Sequence, residues 1–230
     1  GSGNKKTFTK NNLYKISKSL GSEQNKFNID LCGGDTTYSN KLSFTITSLG
    51  YSNKIIYRNK AKSNDDIYVT GNLGDSYIGL SLLKNKINVK KKDKSFFVDK
   101  YYKPEIPLNL TKYLLKFANS SIDVSDGLIN DLSKIINRQS LSFHLIENKI
   151  PVSNKLNKLI KKQRLNKINL VSNGDDYQVL FTANINKARI IQKASKATGI
   201  KITKIGKIIT GKDKSLIFDE KGKQIQAKSK

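Results

Sequence analysis

Acidic side chains are scarce in this sequence, 18 against 43 basic ones, so where they fall is informative. Asp35, Asp75, Asp123, Asp126, Asp175 and Asp176 all stand beside glycine at the ends of strand-like runs or at strand-to-helix turns. Ligands bind at such edges in α/β folds. A carboxylate there is a hard oxygen donor suited to Mg²⁺, which takes one or two carboxylates plus phosphate oxygens. The most concentrated case is Asp123-Val124-Ser125-Asp126-Gly127. Residues i and i+2 of an extended segment share a face, so Asp123 and Ser125 are expected to point together. Asp126 falls where a helix should begin, and helix N-terminal N–H groups suit phosphate. The plainer reading is that Ser125 or Asp126 caps that helix, which would leave Asp123 unexplained.

Other segments carry less. Gly33-Gly34-Asp35-Thr36-Thr37 offers close backbone approach, a carboxylate and two hydroxyls, or else a simple glycine turn. Gly71-Asn72-Leu73-Gly74 resembles a phosphate cradle, but no Lys-Ser or Lys-Thr follows. A strand-to-helix turn capped by Asp75 or Ser76 describes it better. His144 has no Cys or His companions, which argues against zinc, and Cys32 reads as a small buried hydrophobe. The lysines from Lys84 to Lys94, near Phe96, Phe97, Tyr101 and Tyr102, read as a solvated loop in preference to a single-strand-binding surface.

The elements that must position these residues alternate between strand and helix. A helix is expected over Thr9–Leu20, strands over Asn28–Cys32 and around Leu42, Phe44 and Ile46, and a crossing segment over Tyr51–Asp65. Ile67–Thr70 reads as a strand followed by a helix carrying Ile78, Leu82 and Leu83 on one face. Lys84–Lys100 reads as a charged connection. Ile122 and Val124 lead an extended segment into a helix with Leu128, Ile129, Leu132, Ile135 and Ile136 at helical spacing. Leu141–Ile146 is a strand, and another carries Tyr177, Val179 and Phe181 on one face. A helix over Lys187–Thr198, a strand over Ile200–Ile209 and a hairpin of Leu216–Phe218 with Lys223–Ile225 complete the chain. The class is α/β, or mixed α+β.

The 230 residues suffice for one large domain or two modest ones without disulfide staples. No run approaches the ~20 apolar residues that span a bilayer, so no membrane partner is expected. One cysteine points to a reducing, cytoplasmic setting. Methionine is absent, so the chain reads as a fragment or a processed form. The net charge of +25 suggests an anionic partner, but only four of the basic residues are arginine and the lysines are spread throughout. Codon bias explains that mixture, and no nucleic-acid partner is expected.

Taken in order, these segments resemble the thiamine-monophosphate kinase family. The resemblance rests on Gly33-Gly34-Asp35-Thr36-Thr37, on Arg58 ahead of Asp66–Gly71, and on Gly74-Asp75-Ser76. It continues through Ser121–Leu128 with Asp131-Leu132, and through Gly174-Asp175-Asp176-Tyr177 before Phe181-Thr182. It implies the fold shared with aminoimidazole ribonucleotide synthetase, with residues 1–57 closing an N-terminal ATP-binding and dimerisation domain and residues 58–230 forming a C-terminal α/β domain. It also implies transfer of the ATP γ-phosphoryl group to thiamine monophosphate with Mg²⁺, in a homodimer. Carried onto this sequence, Gly34, Asp35, Arg58 and Ser125 would bind ATP. Asp35, Asp123 and Asp126 would hold magnesium, and Asp175 would meet the substrate. The family usually has glutamate where Asp175 stands, glycine where Asn173 stands, and an aromatic C-terminal tail. The rival readings are a sibling enzyme using ATP on another acceptor, or a non-catalytic basic protein that binds nucleic acid.

Overall fold

All five residues of Asp66–Thr70 (β1) are buried, because this strand runs through the middle of a seven-stranded sheet in the computed structural model. A strand covered on both faces needs no alternation of apolar and polar residues. The structure describes residues 9–37, 39, 43–211, 215–219 and 221–225. The other strands are Ala118–Asp123 (β2), Leu141–Ile146 (β3), Val179–Ala183 (β4), Ile202–Thr210 (β5), Leu216–Phe218 (β6) and Gln224–Ile225 (β7). Their order is β2-β4-β1-β5-β3-β6-β7, antiparallel throughout except for the parallel β3–β6 pair. The helices are Lys10–Phe27 (α1), Asp75–Leu83 (α2), Lys91–Tyr102 (α3), Thr111–Phe117 (α4), Leu128–Ile135 (α5), Asn154–Gln163 (α6), Lys167–Val171 (α7) and Ala188–Thr198 (α8).

Alternation along β1 sends Ile67 and Val69 to one face and Tyr68 to the other. The first face packs on Leu128, Leu132 and Ile135 of α5 and on Ile168 and Val171 of α7. The second packs on Leu114 and Phe117 of α4 and Ile191 and Ala194 of α8, with Tyr68 stacked on Phe181 at 5.3 Å. A third cluster joins α2, α3 and α6 through Ile78, Leu82, Phe97, Leu156 and Leu159. The mixed α/β class is therefore as the sequence predicts.

The chain divides into two units, Gly1–Tyr51 and Ser52–Lys230, and all three clusters lie in the second. The first unit holds α1, whose Thr9 caps the Asn12 N–H at 3.2 Å, followed by chain with neither helix nor strand among the described residues. The helix runs to Phe27, past the expected stop at Leu20, because Glu23, Gln24 and Lys26 are good helix formers and the first left-handed residue is Asn28. The strands expected at Asn28–Cys32 and around Phe44 and Ile46 do not form, and Leu42 lies outside the described residues. No described neighbour offers either segment a ladder, and a lone strand leaves its backbone groups unpaired. Phe44, Ile46 and Cys32 are exposed, which corrects the buried reading of Cys32.

Lys84–Lys100 is also not a mere connection, since most of it is α3. Its close packing on α2 overrides the charged sequence. A Cβ at Gly79 would lie 2.1 Å from the Phe97 carbonyl oxygen, so only glycine lets the two helices approach this far. Leu83 falls outside the α2 apolar face and is exposed. Tyr177 precedes β4 instead of joining Val179 and Phe181 in it.

Candidate active site

Two chain segments are stitched together at one edge of the sheet. One is the loop Val124–Gly127 between β2 and α5, and the other is Ser172–Gln178, which leads into β4. Val124 N–H donates to Gln178 O at 2.8 Å, Tyr177 N–H to Val124 O at 2.9 Å and Asp175 N–H to Ser125 O at 3.0 Å. The approach requires glycine twice. A Cβ at Gly127 (φ 109°) would sit 2.2 Å from Ser172 O, and one at Gly174 (φ 80°) would sit 2.0 Å from Ser125 O. The stitching brings Asp123, Ser125 and Asp126 beside Asp175 and Tyr177. Val124 is fully buried, so Asp123 and Ser125 face away from the core as the sequence spacing predicts. Asp123 and Asp126 are exposed and Asp175 is half-buried. The phenol of Tyr177 is pushed up, first by burial and then by the charges of Asp175 and Asp123, with Tyr101 and Asp126 adding less.

Neither Ser125 nor Asp126 caps α5. The fully buried Asp131, inside the helix, reaches back to the loop before it and accepts the N–H groups of Asp126 at 2.9 Å and Gly127 at 3.1 Å. Those two donors, which precede the first turn of α5, are therefore occupied. Lys134 bonds to Asp131 at 2.6 Å and also to Asp126. Its ammonium is held above its ordinary pKa by these two carboxylates, Asp126 foremost. The pair Asp131–Lys134 fixes both the backbone and the side chain of Asp126.

Asp176 points the other way, into the protein. Its carboxylate accepts Gly74 N–H at 2.7 Å and Ser76 N–H at 3.4 Å, so it caps α2 in place of the expected Asp75 or Ser76. Asp75 instead accepts the hydroxyl of Ser153 at 2.7 Å. Burial pushes Asp176 up to about 7, against the lowering effect of Gly74 N–H and helped by the charge of Asp75. Burial also pushes Asp75 up to about 6, opposed by Ser153 and Lys100. These groups border a cleft of about 50 Å³ together with Lys100, Glu105 and Gln178. Sequence reasoning placed Asp176 at the right turn but could not tell that it faces inward; the adjacent Asp175-Asp176 pair was the only signal.

Gly34 and Asp35 belong to the first unit. A Cβ at Gly34 meets nothing within 4 Å, and Asp35 accepts its neighbour Thr36 N–H at 2.7 Å, a local turn. Arg58 is exposed at a turn in the second unit, and no hydrogen bond or ion pair among the described residues links it to Asp123, Asp126 or Asp175. No group of three or more His, Cys, Asp or Glu among the described residues makes a complete metal cage. What is present suits a phosphate-bridged divalent ion instead: hard carboxylate oxygens on Asp123 and Asp126 turned to solvent. Elsewhere, Lys90, Lys92, Lys155, Lys158 and Lys162 border a groove of about 770 Å³ between α3 and α6. Lys155 pairs with Asp93 at 2.8 Å and covers the Phe96 ring. His144 meets the edge of Phe218 at 5.0 Å.

No protein-family model matches the chain. The fold is that of the aminoimidazole ribonucleotide synthetase-like proteins: E. coli HypE superposes with a TM-score of 0.60 over 76% of this chain and 53% of its own, at 13% identity. Two solved kinase structures lie nearer in sequence. Thiamine-monophosphate kinase from Aquifex aeolicus matches at 27% identity and TM-score 0.63, over 77% of this chain and 57% of its own. A structure described as AaThiL complexed with AMPPCP and TMP matches at 28% and 0.61, over 75% and 52%. Among curated proteins, thiamine-monophosphate kinase of Buchnera aphidicola subsp. Acyrthosiphon pisum is 37% identical over 222 residues, covering 91% of this chain and 68% of its own length. The chain belongs to the thiamine-monophosphate kinase family. It spans between about half and two thirds of the length of the curated relatives and just over half that of the solved ones.

Proposed function

We propose that the protein transfers the γ-phosphoryl group of ATP to thiamine monophosphate, giving thiamine diphosphate and ADP, with Mg²⁺ as the metal. The supporting observation is the stitched edge at Val124–Gly127 and Gly174–Tyr177, which presents Asp123, Ser125, Asp126 and Asp175 together in a chain of this family. Asp123 and Asp126 would hold the metal, and likeness to the family gives Asp35 the same role. Ser125, Gly34 and Arg58 meet ATP, and Asp175 meets the substrate. A bound Mg²⁺ would neutralise phosphate charge and align the reacting oxygens. The chain's own residues then need only position the two ligands. The acceptor is a phosphate oxygen, already ionised near neutral pH, so no general base is required. Lys134 holds the Asp126 carboxylate in place by an ion pair. Residues 1–57 and 58–230 are the parts of two domains, the first contributing to a homodimer, in a cytoplasmic enzyme.

The test uses the protein at its full encoded length with Mg-ATP and thiamine monophosphate, following thiamine diphosphate and ADP by chromatography. Stoichiometric formation of both is expected, and Asp123→Asn should lower turnover by about 100-fold or more, as loss of a charge-neutralising ligand does. ADP without thiamine diphosphate would move the reading to a sibling enzyme with another acceptor. Turnover of Asp123→Asn within a few-fold of wild type would remove Asp123 from the metal site.

A further inference from the structure

Tyr177 has a backbone φ of 50°, the left-handed region, which bulky side chains rarely adopt. Glycine would meet that requirement without strain, and several turns of this chain use it so. The tyrosine side chain does not compensate by packing. It is 42% exposed, belongs to none of the three apolar clusters and stacks on no other ring among the described residues. Its backbone is nevertheless held firmly. The Tyr177 N–H donates to Val124 O at 2.9 Å, and the next residue, buried Gln178, bonds Thr70 at 2.8 Å and Glu105 O at 2.9 Å. Strain kept in place by surrounding structure, on a residue whose ring lies open, marks a functional position.

The chemistry of its surroundings narrows the role. The same stitched edge carries Asp123, Asp126 and Asp175, whose charges act on the Tyr177 phenol, and Lys134 there is committed to Asp126 and Asp131. An aromatic face bordered by carboxylates recognises organic cations. Of the two proposed substrates, only thiamine monophosphate carries one, its permanently charged thiazolium ring.

We propose that Tyr177 is a specificity-determining residue that binds the thiazolium ring of the acceptor, with Asp175 beside it. The inference rests on the kinase reading above and adds to it how the acceptor's charge is read. Its role is distinct from that of Asp123 and Asp126, which serve the phosphate end.

The experiment compares thiamine monophosphate with its neutral thiophene isostere in the protein at its full encoded length, for wild type, Tyr177→Phe, Tyr177→Leu and Tyr177→Gly. Wild type should favour the cation by about tenfold in kcat/KM, the size of a partly desolvated cation–π contact. Tyr177→Phe keeps the preference. Tyr177→Leu brings it to within about twofold while leaving KM for ATP unchanged. Tyr177→Gly also loses the preference, yet melts at the same or a higher temperature because the strained backbone is relieved. No preference in wild type, a preference that survives Tyr177→Leu, or a lower melting temperature for Tyr177→Gly would each overturn the proposal. Failure to phosphorylate thiamine monophosphate at all, with ADP released on another acceptor, would remove the kinase reading itself. An active kinase without charge preference would remove only the role of Tyr177.

Discussion

Asp175, Asp176 and Tyr177 are consecutive, yet each side chain meets a different environment. Asp175 is half-buried at the stitched edge, Tyr177 is open beside it, and Asp176 is buried against the first turn of α2. For Asp176 this has a consequence in pH. Its folded pKa, raised to about 7, exceeds its unfolded value, so the folded state retains a proton that the unfolded chain has released. Stability from this group is therefore full below the ordinary carboxylate range, declines as pH rises from about 4 to about 7, and is flat above. Asp75 acts in the same direction up to about 6. Asp176→Asn keeps an acceptor for Gly74 N–H without the buried charge. Urea midpoints at pH 5 and pH 8 should differ less in the variant than in wild type, by an amount on the order of 1–3 kcal/mol. An unchanged difference would mean that Asp176 is ionised in the folded protein throughout. From sequence, the position of each of these three residues was legible but not its direction, because a one-residue change of facing depends on the left-handed φ values at Asp175 and Tyr177.

Among elements, legibility followed packing. Helix α5 was readable because Leu128, Leu132 and Ile135 repeat at helical spacing and are all fully buried. The same holds for β3, β5 and β6, whose alternation faces a helix layer. Helix α6 carries a comparable stripe in Leu156, Leu159 and Ile160, hidden in sequence by the lysines between them. The strands expected near Ile29 and Phe44 had the right alternation but no ladder among the described residues. Periodicity specifies a face, and a face becomes an element only when something covers it. This distinction can be measured. Leu132→Ala, at a residue with no exposure, should cost about 2–5 kcal/mol in chemical denaturation. Leu20→Ala on α1, at 39% exposure, should stay within about 0.5 kcal/mol. Equal losses would show that α1 is packed as tightly as α5.

Across the whole molecule, charge and core are distributed differently. The excess of lysine borders separate grooves, one between α3 and α6 and another with Lys149, Lys161, Lys167, Lys201 and Lys221. The core, by contrast, is concentrated. Every buried apolar residue described lies between Ala61 and Ile217, and no described residue from Thr9 to Tyr51 is buried. The exposed carboxylates Asp123 and Asp126, proposed above as metal ligands, the tether Asp176 and the glycines that stitch the edge all stand inside that same region. Residues 52–230 should therefore fold alone, with one cooperative thermal transition and a near-ultraviolet signal from the packed rings of Tyr68, Phe117 and Phe181. Residues 9–51 alone should show no cooperative transition, since an 18-residue helix without a buried face is marginal in water. A broad, non-cooperative melt of residues 52–230 would mean that the core needs the first unit to form, and the site's geometry with it.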